Sequence, residues 1–268
     1  MTIGHDELVR LATAGCGNRR VAFRVLRRVV NRRNWAVHRH VHLVAALETA
    51  LAVESIDTVL SVGCGSGLTE LFLAVSHPEV HFTLAELDLA RFAWTRQMAD
   101  AWAIDNVTFA THDLLAPSAG PLADFVASIE VLEHIEDDQT AARNLVACAR
   151  RFLYLLVPYC SAAELGNPGL AARMWERHEH HRVGYTRATF DALLGDHDRL
   201  IDRNCYLLPE AIELRARLGA MSDDEVAAAR NELVRAAADD VQNRLVEGGS
   251  KEAQGIEALL RLDGLVDP

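Results

Sequence analysis

The stretch EVLEH at residues 130–134 sets two carboxylates and an imidazole at E-x-x-E-H spacing, with Glu130, Glu133 and His134 as the polar members. Further along, residues 175–186 read WERHEHHRVGYT, which places His178, His180 and His181 within four positions, with Arg177 and Arg182 on either side. Carboxylates and imidazoles together suit divalent ions of hard or borderline type. One imidazole alone can act as a general base near neutral pH. A polar run of this kind can also be a solvated loop. By themselves the two segments leave a metal site, a base and a polar lid open.

A third pattern combines glycines and acids. VLSVGCGSG carries Gly63, Gly65 and Gly67 at the end of an apolar run. Glycine is needed where a backbone turns sharply from strand to helix and a ligand must come close. Nineteen residues after Gly67, the end of the run HFTLAELD places Glu86 where a carboxylate can accept both hydroxyls of a ribose. THD ends the next run with Asp113, and SIEVLEH brings Glu130 to the end of the one after.

These residues need elements to hold them. The strand candidates are DTVLSVG, VHFTLAEL, VTFATHD, ADFVASIE, RFLYLLVP and RLIDRNCYLL, separated by helical segments. Strands alternating with helices predict a parallel sheet with crossovers, whose ligands bind outside the carboxyl ends of the strands. Residues 20–53 have helical spacing of apolar side chains without Gly or Pro. After Pro209 the pattern is again helical: SDDE at 222–225 is a capping box, and EGGS at 247–250 precedes what reads as a short closing helix. The expected architecture is a doubly wound, mostly parallel α/β sheet over residues 54–208, with a helical N-terminal arm (1–53) and a helical C-terminal extension (209–268).

The ordered set VLSVGCGSG, LAELD, THDLL, ADFVASIEVLEHIED and FLYLLVPY resembles the class I S-adenosylmethionine-dependent methyltransferases over roughly residues 50–208. The spacing G-x-G-x-G also differs from the G-x-G-x-x-G more usual in nicotinamide-binding chains. The resemblance implies a Rossmann-like fold and S-adenosylmethionine as cofactor. It implies that Gly63, Cys64, Gly65 and Gly67 pass close to the methionine part, that Glu86 and Leu87 meet the ribose, that Asp113 and Leu114 meet the adenine, and that Glu130 lies near the sulfonium. One departure stands out. The family usually has an acid two residues before the first glycine, and this chain has Ser61, whose hydroxyl can accept a hydrogen bond but adds no charge.

Methyl transfer from a sulfonium is an in-line displacement, and an alcohol acceptor must also lose its proton to a base or near a metal. His134 is the candidate base. The combination of E-x-x-E-H with a later histidine also resembles the small-RNA 3'-terminal 2'-O-methyltransferases. That resemblance implies a divalent ion, magnesium or manganese, on Glu130, Glu133, His134 and His181 or a neighbour, with Tyr185, Thr186 and Arg187 following. Small-molecule methyltransferases also carry H-x-V-G-Y-T before a helix, where Thr186 would be the cap and His178 and His180 lid residues. The expected function is O-methylation of a small-molecule hydroxyl, on a sugar or specialised metabolite. The alternatives are a metal-dependent RNA-end methyltransferase and a methyltransferase-fold protein that binds the cofactor without turnover.

Charge bears on the partner. The chain of 268 residues carries a net charge of -11, yet residues 1–47 hold nine arginines against Asp6 and Glu7, a balance of +7. An acidic body disfavours nucleic acid, so the basic arm is expected to close over the acceptor. Cys16, Cys64, Cys148, Cys160 and Cys205 are odd in number and form no C-x-x-C pair, and no run of about 18 uncharged apolar residues occurs. Cytoplasmic location and no membrane partner are expected, and a homo-oligomer is left open.

Overall fold

The computed structural model describes residues 34–117, 120, 122–205 and 255–262. The basic residues before 34, the capping box at 222–225 and the rest of 206–254 lie outside them. The described residues fall into two compact units, 34–112 and 113–205 with 255–262.

The first unit begins with α1 (Asn34–Val53). His42 to Leu47 and Ala50 are buried, so the helix is covered on all sides in its middle rather than along one stripe, and 34–53 is helical as read for this segment. β1 (Thr58–Val62), α2 (Leu68–Ser76) and β2 (His81–Glu86) follow, then a 3-10 turn (Leu89–Phe92), α3 (Ala93–Ala101) and β3 (Val107–Thr111). β1 and β2 are parallel from Thr58–His81 to Val62–Ala85, and β2 and β3 from Phe82–Val107 to Glu86–Thr111. This register ends all three strands on the side where Gly63 and Glu86 stand.

The second unit contains β4 (Ala123–Ile129), a 3-10 turn (Leu132–His134), α4 (Asp138–Cys148) and β5 (Ala149–Pro158). Three helices, α5 (Ala162–Leu165), α6 (Pro168–His178) and α7 (Arg187–Leu194), lead to β6 (Asp198–Cys205). Every residue of β4 is buried, and Phe125, Phe152, Tyr154 and Leu155 form the centre of this unit's core. β4 and β5 are parallel. The seven-stranded sheet has the order β3-β2-β1-β4-β5-β7-β6, a mostly parallel α/β sheet as expected.

The closing helix is a correction. Residues Gly255–Arg261 form β7, antiparallel to both β5 and β6, between which it lies. IEALL favours a helix locally, but with strands on both sides and burial on both faces it has neither polar alternation nor a free edge. Its Glu257 is buried and accepts hydrogen bonds from the Tyr154 hydroxyl on β5 and the Arg203 guanidinium on β6. A buried carboxylate so held fixes the register of β7, because a one-residue slip would turn it to the other face. No helix among the described residues is long and apolar enough to cross a membrane.

Candidate active site

Ser61, the three glycines, Cys64, Glu86 and Leu87 belong to the first unit. Gly63, Gly65 and Gly67 all have positive φ, 67°, 63° and 68°, the left-handed region that favours glycine. The loop is pinned from behind: Gly63 N–H donates to Ala85 O at 2.9 Å, Gly67 N–H to Cys64 O at 3.1 Å, and the Thr95 hydroxyl to Ser66 O. A Cβ on Gly67 would collide with the Leu84 side chain, whereas one on Gly65 would meet nothing within 4 Å. Gly67 is therefore a packing glycine, and Gly65 faces open space where a ligand's backbone-hugging part would fit.

Glu86 ends β2 and its Oε1 accepts from Gly65 N–H, so it braces the same loop it follows in sequence. Leu87 beside it is 69% exposed, an apolar side chain standing open to a ligand. Ser61 is buried, and its hydroxyl donates to Glu70 Oε1 at 2.8 Å. Arg39 of α1 donates to that same carboxylate oxygen from Nε (3.1 Å) and Nη2 (3.0 Å). The charge absent from position 61 is thus supplied through space, from the first turn of α2. Nothing in the motif spacing singled out Glu70 or Arg39.

Asp113, Leu114, Glu130, Glu133, His134 and the histidine segment belong to the second unit. Asp113 is exposed and its Oδ1 accepts from Leu115 N–H at 2.9 Å, closing a local turn. Leu114 is buried, and its carbonyl accepts from the Asn144 amide at 2.7 Å.

Glu130 follows β4 directly, a non-glycine residue with φ 53° whose N–H donates to Leu156 O at 2.8 Å. A left-handed residue costs about 1 kcal/mol, and such turns gather at functional sites. The 3-10 turn that follows buries Glu133 and leaves His134 exposed. Both carboxylate oxygens of Glu133 are buried without a hydrogen-bond partner among the described residues. Burial pushes its carboxyl well above the usual range, and the charge of Glu130 adds to that.

The segment after α6 docks on this turn. Glu179 ends the helix in the left-handed conformation, and the N–H groups of His181 (2.8 Å) and Arg182 (3.3 Å) donate to Glu133 O. Asp138, buried at the start of α4, accepts from the Tyr185 hydroxyl at 2.8 Å and pairs with the Arg182 guanidinium. Thr186 caps α7 in a reciprocal box with Thr189, the role read for it from sequence.

The docking selects His180. One ligand atom each of Glu133, His134 and His180 lie within 4.8 Å of one another. The His134 and His180 rings meet edge to face at 4.5 Å, and His178 lies 5.3 Å from His180. Burial lowers the His180 pKa to about 4, helped by the charges of His134 and His178 and opposed by Glu130. His181, expected to be the fourth ligand and a catalytic residue, is exposed, with its ring against Trp175 at 4.9 Å. Once the backbone of 181 and 182 is fixed on Glu133 O, the side chain of 180 points inward and that of 181 outward. His180, expected on a metal-free reading to be a mere lid residue, is the inward one.

No family model matches the chain. It is 40% identical over 70 residues to the ribosomal RNA small subunit methyltransferase G of Paenarthrobacter aurescens (strain TC1), a match covering 26% of this chain and 32% of that protein. The chain thus spans about a third of the length of the curated relatives it matches. Its fold is similar to that of a protein assigned as a sarcosine dimethylglycine methyltransferase from Galdieria sulphuraria, with TM-score 0.54 and 15% identity over 81% of this chain and 82% of that one. It is also similar to magnesium protoporphyrin IX methyltransferase from Synechocystis PCC 6803, which was solved with bound S-adenosyl-homocysteine, with TM-score 0.51 and 15% identity over 85% of each chain. By strand order and by these likenesses, the chain has the fold of the class I S-adenosylmethionine-dependent methyltransferases.

Proposed function

We propose that the chain transfers a methyl group from S-adenosylmethionine to a hydroxyl oxygen of a small acceptor, a sugar or specialised metabolite. The observation that carries the oxygen chemistry is Glu133, buried with both carboxylate oxygens unpartnered beside His134 and His180. For the cofactor, the open cradle at Gly65 and the carboxylate of Glu86 provide a fit at the end of β1 and β2. When bound, the cofactor supplies an electrophilic methyl carbon on a positively charged sulfur, which leaves as a neutral thioether.

The acceptor hydroxyl must lose a proton as its oxygen takes the methyl group. Glu133, His134 and His180 fit a divalent ion such as magnesium or manganese: two buried acceptor oxygens without donors, and an imidazole kept neutral by its surroundings. When bound there, such an ion would lower the pKa of a hydroxyl beside it. The chain's own contribution is placement. Asp138 and Arg182 hold the histidine segment against the Glu133 turn, and the negative charge of Glu130 favours a cation.

Turnover of labelled S-adenosylmethionine with a cell extract tests this reading. Activity should vanish in excess chelator and return with magnesium or manganese. Full activity in excess chelator would remove the ion and leave His134 as the candidate base. Cofactor bound but never consumed would instead favour a non-catalytic binding protein.

One observation favours a second class of acceptor, an RNA: the 70-residue match is to a ribosomal RNA methyltransferase. The net charge of -11 weighs against it. Nuclease treatment of the extract separates the two, since only the RNA reading predicts that the labelled product disappears.

A further inference from the structure

Glu70 is fully buried on the first turn of the helix that leaves the glycine loop. Its Oε1 takes three donors, the Ser61 hydroxyl and two N–H groups of Arg39. Its Oε2 is buried and has no hydrogen-bond partner among the described residues. An arginine that served only to neutralise a carboxylate would engage both oxygens with its two-pronged fork. Here Nε and Nη2 both go to one oxygen, with Nη2 also reaching the Ser61 hydroxyl at 3.2 Å, and that hydroxyl donates to the same oxygen. The other oxygen is kept in reserve, an unfavourable arrangement unless something donates to it.

The glycine loop is where that donor would come from. Cys64 stands between Gly63 and Gly65, and its thiol is pushed up by burial first and next by the charge of Glu70, with Arg39 opposing and Glu86 adding a smaller push. Glu70 is therefore an electrical neighbour of the loop as well as a neighbour of Ser61. Arg39 already balances its charge, so a further anion has no place here. What fits is a compact group offering N–H donors at short reach, and an ammonium has three.

We propose that Glu70 binds the amino group of the cofactor's methionine end through Oε2, with Arg39 and Ser61 holding the carboxylate in position. This rests on the reading that the chain binds S-adenosylmethionine. Arg39 lies on α1, so the same network ties the helix before the sheet to the cofactor's amino-acid end.

Calorimetric titration with S-adenosyl-homocysteine and with 5'-methylthioadenosine, which lacks the amino-acid portion, tests the assignment. Glu70→Gln should weaken homocysteine-analogue binding by roughly tenfold or more while changing methylthioadenosine binding by no more than about twofold. In the double variant Ser61→Asp with Glu70→Gln, a carboxylate returns within reach of the loop and should recover most of the loss. Equal binding of S-adenosyl-homocysteine by wild type and Glu70→Gln, or equal loss of both ligands, would overturn the role of Glu70 alone. Wild-type protein that binds neither ligand would overturn the cofactor reading itself. Should Glu70→Gln fail to fold, the wild type still decides: an analogue of S-adenosyl-homocysteine without its amino group should bind at least tenfold more weakly, and equal affinity would refute the proposal.

Discussion

The rings of His134 and His180 meet edge to face at 4.5 Å although 46 positions separate them in the chain. The contact depends on backbone donors from His181 and Arg182 to Glu133 O, which fix the later segment onto the earlier turn. The two motifs that the sequence reading paired are thereby brought together, with His180 rather than His181 beside Glu133 and His134.

That relationship predicts opposite outcomes for neighbouring histidines. His180→Ala should weaken manganese binding by about 10- to 100-fold, the usual range when one of few ligands or its support is lost. His181→Ala should leave it nearly unchanged, because its ring lies against Trp175. Titration followed by electron paramagnetic resonance would check this. Greater loss in His181→Ala would mean that the segment is turned the other way.

Glu86→Ala should weaken S-adenosyl-homocysteine binding by about 1–3 kcal/mol, the cost of losing hydrogen bonds to a charged group. Part of that loss should come from the loop, since Glu86 also accepts from Gly65 N–H. Calorimetry on the folded variant would measure it, and an unchanged dissociation constant would take Glu86 out of the site.

Arg39→Met should destabilise the fold by about 3 kcal/mol, because it leaves the Glu70 carboxylate buried without its counter-charge. Adding Glu70→Gln should recover much of that loss. Urea unfolding of the single and double variants reads both. Additive losses would show that the two side chains are not coupled in the folded protein.

Stability should fall as pH drops from about 6.5 toward 4, in part through His180. Burial holds its pKa at about 4, below the usual imidazole value of about 6.5, so in this window the unfolded chain binds the extra proton. The contribution is absent above 6.5 and complete below 4. Comparing urea melts at pH 7 and pH 4.5, wild type should lose more stability than His180→Gln. Equal losses would place His180 in water.

The parallel strands were legible because each is a short apolar run followed by a turn or an acid, and this pattern is local. The turn at Gly65 was legible for the same reason, as was the cap at Thr186. β7 was not, because IEALL has the composition of a helix and becomes a strand only between β5 and β6, where its backbone groups find partners on both sides. Position 61 read as a missing charge, since a sequence motif counts only residues in line. The fold brings Glu70 to Ser61 by turning the chain back through the glycine loop, and α1 supplies the arginine. The choice between His180 and His181 was also tertiary. The segment bends at 181–183, so the side chain that faces Glu133 is set by which backbone N–H groups bind the Glu133 carbonyl. Sequence alone determined the parallel strands, the loop and the types of group available; the three-dimensional packing decided the last strand and which of those groups meet.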